Sequence, residues 1–215
     1  MNPTSFPSEQ STPLTLSAGQ IQAVATNPKG INVKKVILIC HPHPLHGGTM
    51  DNKVITTLAR SFNQLGFKTL RFNFRGVGDS VGEHDNGIGE GKDTANIIQW
   101  LHDVLPDHEL YLAGFSFGAY VAYQVAGSSN VASLIKQLLL VAPPVSYPEF
   151  WSLPEPAMPW FILQGDLDDI SIADDVEQWA HSRKLPPNLK RFPEAGHFFH
   201  GQLVTLKNYL LEAFA

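Results

Sequence analysis

One turn near the middle of the chain constrains the fold more than any other stretch. Leu110-Tyr111-Leu112-Ala113 is a short apolar run of the kind that forms a buried parallel strand, and Phe117 to Ala122 places small and apolar residues at helical spacing. Between them lies Gly114-Phe115-Ser116-Phe117-Gly118. A strand that passes directly into a helix holds the middle residue in strained backbone geometry. Glycine is needed on either side, because side chains there would meet the neighbouring strand and helix. Ser116 is thereby expected to stand clear of a sheet, its hydroxyl beside a helix N-terminus. The plainer alternative is a buried serine in a small-residue turn.

The remaining elements supply that sheet. Met1 to Pro13 is rich in Pro, Ser and Thr and is set apart as a flexible lead-in, leaving residues 14–215 as a single domain. Leu14–Leu16 and Ile21–Ala25 alternate in polarity around Ala18-Gly19, which signals an antiparallel hairpin at a sheet edge. Lys35–Cys40 is a β-branched run suited to a strand buried on both faces. Further strands are expected over 67–74, 137–142, 160–164 and 188–192. Helices are expected from Asp51, as cap, to Gln64, then from Asp93 to Val104, Ile172 to Lys184 and Phe199 to Phe214. A glycine-rich loop fills Arg75 to Gly91. Strands alternating with helices call for a mostly parallel sheet covered on both faces. Ligands bind such sheets outside the carboxyl ends of the strands.

Composition narrows the functional classes. The chain has 215 residues, 43% of them hydrophobic and 16% charged, which suits one domain with a sizeable core. The formal net charge of −5 is spread without long runs, so neither nucleic acid nor an anionic membrane surface is an expected partner. Cys40 is the single cysteine, which excludes an intramolecular disulfide; inside an apolar run it reads as a buried thiol. No segment approaches the length of a membrane span, and the first residues lack the basic start and apolar stretch of a signal peptide. The expectation is a soluble, cytoplasmic protein.

A serine hydroxyl becomes a nucleophile only when a base takes its proton, and that base needs an acid to hold its tautomer. A candidate acid lies in Gly165-Asp166-Leu167-Asp168-Asp169-Ile170, after one strand. A candidate base lies in Pro193-Glu194-Ala195-Gly196-His197-Phe198, after the last. The chain order is therefore Ser, Asp, His.

With these pieces the sequence resembles the α/β-hydrolase superfamily. More narrowly, it is similar to small lidless members carrying a His-Pro-His-Pro-Leu-x-Gly-Gly-Thr-Met-Asp-Asn-Lys block after the first central strand, here His41 to Lys53. The resemblance also covers Asn73-Phe74-Arg75-Gly76-Val77-Gly78-Asp79-Ser80, the serine turn, Gly165–Asp168 and Gly196-His197. It implies a three-layer α/β-hydrolase fold without a cap domain, and hydrolysis of carboxylic esters through an acyl-serine. It implies neither a metal nor an organic cofactor. The family's Gly-x-x-Asp turn points to Asp168 as the acid, with Asp169 and Asp166 as rivals. His197 is the implied base, with His200 as the nearby substitute. The backbone N–H of Phe117 is the first expected oxyanion donor. For the second, Pro42 and Pro44 lack an N–H, which leaves His43, or Leu45 as the alternative.

Other readings are weighed beside this one. A thioesterase, peptidase or acyltransferase would use the same residues, and a non-catalytic binding protein would share the fold. His41, His43 and His46 raise the possibility of a zinc site, but two prolines separate them and no fourth ligand lies nearby. Gly78-Asp79-Ser80-Val81 is similar to a block in another hydrolase group, although a structural turn is the simpler account. The sequence does not set the oligomeric state.

Overall fold

Along Lys35–Cys40, successive side chains enter two different cores. Val36, Leu38 and Cys40 belong to one apolar cluster, and Ile37 and Ile39 to another. That alternation is the period of a strand with protein on both faces. The computed structural model describes residues 4–7, 12–16, 20–30 and 33–215. Its strands are β1 (Thr12–Leu16), β2 (Ile21–Thr26), β3 (Lys35–Cys40), β4 (Lys68–Phe72), β5 (Glu109–Phe115), β6 (Ile135–Val141), β7 (Trp160–Gly165) and β8 (Asn188–Phe192). The helices are α1 (Lys53–Gln64), α2 (Ile88–Val104), α3 (Phe117–Ser128), α4 (Pro148–Ser152), α5 (Ala173–His181) and α6 (Leu203–Ala213).

Among the described residues, the strands form one eight-stranded sheet in the order β1-β2-β4-β3-β5-β6-β7-β8. From β4 to β8 every neighbouring pair is parallel, whereas β2 runs antiparallel to both β1 and β4. Helices α1 and α6 cover one face through Ile55, Leu58, Phe62, Leu206 and Leu210. Helices α2, α3 and α5 cover the other through Ile97, Leu101, Val121, Val125 and Trp179. This is the three-layer, mostly parallel architecture with an antiparallel hairpin at its N-terminal edge. The hairpin's turn, residues 17–19, lies outside the described residues.

Several boundaries differ from the sequence reading for identifiable reasons. Thr12 and Pro13, expected to belong to the lead-in, pair with Ala25 and Val24 in β1. Phe6 is buried and stacks on Trp100. Asp51 does not cap α1; Asn52 does, its Oδ1 accepting from Val54 N–H at 2.8 Å, while Asp51 turns to an ion pair with Arg71. Helix α2 starts at Ile88 rather than Asp93, because Glu90 folds back to accept from the N–H groups of Gly87 (2.9 Å) and Asp85 (3.0 Å). Helix α6 starts at Leu203 rather than Phe199, since Phe199 and Gly201 have φ of +54° and +72°.

The connection from Pro143 to Pro159 holds one short helix, α4, and no cap domain. Phe150 pins that helix down: it is fully buried, 5.1 Å from the ring of Tyr123 and 4.7 Å from that of Trp179.

Candidate active site

Ser116 sits at the junction of β5 and α3 with φ +55° and ψ −121°, a conformation that L residues rarely adopt. Its N–H donates to Val141 O at 2.9 Å, and its carbonyl accepts from Ala119 N–H at 2.8 Å. Both glycines of the turn are there for space. A Cβ on Gly114 would lie 2.1 Å from Gly118 O, and one on Gly118 would lie 2.3 Å from Cys40 O. The elbow is thus wedged against the end of β3, and the serine hydroxyl is pushed out beyond the strand ends.

Two further loops meet it there. His197 Nε2 is 2.9 Å from Ser116 Oγ, and His197 Nδ1 is 2.9 and 3.1 Å from the two carboxylate oxygens of Asp168. Nδ1–H donates to the carboxylate, so Nε2 is the nitrogen free to accept the serine proton. Asp168 and His197 are both buried, at 4% exposure. Burial by itself would raise the Asp168 pKa. The hydrogen bonds from His197, from Ser171 N–H (2.7 Å) and from Ile170 N–H (2.9 Å) outweigh it and hold the carboxyl below its ordinary value. Asp166 is instead engaged with Arg191 at 2.6 Å, and Asp169 is exposed on the turn. His200, also exposed, lies 5.8 Å from Phe198 by ring centroids and is not part of this chain of contacts.

The loop after β3 forms the opposite wall. Leu45 N–H, the alternative donor, donates to the His43 imidazole at 3.2 Å. Among the described residues, the N–H groups of His43 and Phe117 make no hydrogen bond within the chain. His41 has turned inward and is fully buried. Its Nε2 accepts from Phe74 N–H at 2.9 Å, and its Nδ1–H donates to Pro42 O at 2.6 Å. Burial lowers its pKa to about 4, so the ring is neutral at physiological pH. With both nitrogens occupied it does not converge with His43 and His46, which stack on each other at 4.4 Å. Among the described residues, no group of three His, Cys, Asp or Glu side chains is placed to hold a metal ion.

The other sequence candidates have structural partners. Ser80 Oγ donates to Asn73 O at 2.7 Å and accepts from Gln22 N–H at 3.0 Å, tying the loop after β4 to β2. Arg75 makes a two-pronged contact with Asp93 at 2.8 and 2.9 Å. Cys40 is buried, and burial pushes its thiol pKa up to about 12. Sequence reasoning passed over His41 as a support and Gln164, whose Nε2 donates to Asp168 Oδ2 at 3.1 Å and to Ser171 O at 2.8 Å. Gln164 had a signal: it is the single polar residue in the otherwise apolar Trp160–Gln164 run.

Ser116 and His197 open onto a cavity of about 200 Å³ whose walls include His43, Gly48, Tyr147, Ile170 and Phe198. Its walls combine apolar side chains with several convergent polar groups, as small-molecule sites do.

Comparisons with known proteins agree with this fold. Residues 35–161 match the family model described as alpha/beta hydrolase fold. An uncharacterized protein of Rickettsia prowazekii (strain Madrid E) is 41% identical over 187 residues, covering 82% of this chain and 75% of its own length. The structure of an alpha-beta serine hydrolase homologue from Coxiella burnetii is 42% identical, with a TM-score of 0.89 over 97% of this chain and 99% of that one. The structure of a lidless a/b serine hydrolase from Xanthomonas campestris is 37% identical, with a TM-score of 0.88 over 98% and 95% of the two chains.

Proposed function

The chain belongs to the α/β-hydrolase fold family, and from that premise we propose that it is a serine hydrolase cleaving carboxylic esters of small or medium, soluble substrates. The observation that carries the reading is the continuous contact Ser116 Oγ, His197 Nε2, His197 Nδ1, Asp168, with the serine on a strained elbow at a helix N-terminus. In the acylation step His197 takes the Ser116 proton as Oγ attacks the ester carbonyl. Asp168 stabilises the imidazolium that forms. The N–H groups of Phe117 and His43 receive the oxyanion, each donor supplying on the order of 10²–10³ in rate. The tetrahedral intermediate collapses, the alcohol leaves with the proton held by His197, and an acyl-Ser116 remains. Water then attacks with His197 again as base, which releases the acid and restores the serine.

The substrate range rests on access. The Ser116 cavity is small, and the short, proline-rich connection carrying α4 leaves no segment long enough for a lid helix. Labelling with a fluorophosphonate separates an enzyme from a binding protein on the same fold. Covalent modification at Ser116, absent in Ser116→Ala, supports the hydrolase; folded wild-type protein that is not modified supports the binder.

A further inference from the structure

The cleft at Ser116 is not the end of the site. A second cavity of about 460 Å³ adjoins it, and His43 and Tyr147 line both. Phe117, the residue after the serine, lines the second cavity together with His84, Tyr120 and Glu149. The rings form one continuous surface: His43 to Phe117 is 4.9 Å between centroids, His84 to Phe117 5.3 Å, Phe117 to Tyr120 6.0 Å and Tyr120 to Tyr147 6.1 Å.

No Lys or Arg lines either cavity, and Glu149 is the single carboxylate among the lining residues of both. Glu149 is exposed and lines the second cavity together with Tyr120 and Tyr147. Behind the wall the fully buried Glu90 lies 2.9 Å from His84 Nδ1. Arg75, which packs against Gly89 in the first turn of α2, is committed to Asp93. Burial and the neighbours His46 and His84 hold the His43 pKa below its ordinary value, which favours the uncharged ring.

We infer that the second cavity is a specificity subsite for an ammonium-bearing end of the ester, held against aromatic rings by Glu149. Ring faces attract cations, and an unpaired carboxylate at the rim adds to that attraction while disfavouring anionic substrates. This inference rests on the hydrolase reading of Ser116. It goes beyond that reading by naming what distinguishes one ester from another.

Two matched ester pairs test it. Butyrylcholine and 3,3-dimethylbutyl butyrate carry the cation, or its neutral isostere, on the alcohol. The methyl esters of 4-(trimethylammonio)butyrate and 5,5-dimethylhexanoate carry it on the acyl group. The expected result is a kcat/KM ratio of about ten or more in favour of the cation for at least one pair. Glu149→Gln and Tyr147→Leu, each checked for native circular dichroism, should both bring that ratio toward one. Tetramethylammonium should slow fluorophosphonate labelling of wild-type Ser116. Labelling without any cation preference, in either pair or in the competition, overturns the subsite and leaves the hydrolase reading standing. Folded protein that neither labels at Ser116 nor cleaves any of the four esters overturns the hydrolase reading, and this inference with it.

Discussion

The imidazole of His41 accepts a hydrogen bond from the N–H of Phe74 at 2.9 Å, so a buried neutral ring ties the end of β3 to the chain leaving β4. Its other nitrogen donates to Pro42 O at 2.6 Å. That oxygen belongs to the peptide whose N–H is His43's. In a planar trans peptide the two groups point in opposite directions, so fixing the carbonyl aims the N–H. Gly48 allows the arrangement, since a Cβ there would lie 2.1 Å from Pro42 O.

His41 is therefore a positioning residue for the proposed oxyanion site. His41→Ala should lower kcat by about one to two orders of magnitude with little change in KM, because a misaimed donor forfeits part of the roughly 10²–10³ that a well-placed one supplies. It also leaves two buried backbone groups unpaired, each worth about 1–3 kcal/mol of stability. His41→Gln, which can both donate and accept, should recover part of kcat. A merely structural His41 would lower the melting temperature and leave kcat per folded molecule unchanged.

The same ring gives stability a pH dependence. Unfolded, it takes up a proton as pH falls through its ordinary value of 6.5; folded, not until about 4. Between those values the unfolded state binds more protons, so stability falls as pH falls, with no further loss from this group below about 4. At pH 5 the effect is about 2 kcal/mol. The lowered pKa of Asp168 has a separate window, its stabilisation being lost as pH falls from the ordinary value of 3.8 through the lower folded value. Denaturant unfolding at pH 7.5 and pH 5 should show a smaller drop for His41→Gln than for the wild type. Equal drops would contradict a neutral buried His41.

Three aspartates within four residues should separate cleanly. Asp168→Asn should reduce kcat by on the order of 10⁴, because the imidazole tautomer is no longer held. Asp169→Asn should change little, as its side chain is exposed. Asp166→Asn removes one of the contacts of Arg191, which retains Asp174 and Glu177 at 2.9 and 2.6 Å, so its effect should be a small loss of stability. Steady-state kinetics on the three variants checks the ranking; Asp169→Asn as the most damaged would contradict it.

Gly118→Ala should destabilise the fold by several kcal/mol. Its methyl would press on the Cys40 and His41 carbonyl oxygens, which are strand-end backbone and cannot give way as a flexible side chain would. Gly47→Ala has open space around the added Cβ, and its cost should be limited to the strain of its φ of +75°. Similar melting temperatures for the two variants would contradict the wedged elbow.

Much of this was readable in the residues because the signals were local. Gly114-Phe115-Ser116-Phe117-Gly118 between an apolar run and a helical one fixes an elbow, and Lys35–Cys40 marks a central strand. What was not readable depends on long-range partners. Asp51 and Asn52 are equally good caps on paper; Arg71, 20 residues away, draws Asp51 off. Glycines at 87, 89 and 91 argue against a helix there. Yet the Glu90 carboxylate closes the first turn of α2, and at Gly89 the Arg75 guanidinium lies 2.1 Å from where a Cβ would stand. His41 looked like a possible ligand because its burial, and the Phe74 N–H that faces it, follow only from the pairing of β3 with β4.

The most direct test of the central claim is the turnover of Ser116→Ala on an ester that the wild type cleaves. The substitution removes one oxygen from a half-buried position, so circular dichroism and melting temperature should match the wild type closely. The account predicts a fall in kcat of several orders of magnitude, leaving what the oxyanion donors and binding supply. A folded Ser116→Ala protein that keeps more than about a tenth of wild-type kcat would contradict it, since losing the nucleophile costs far more than one factor of ten.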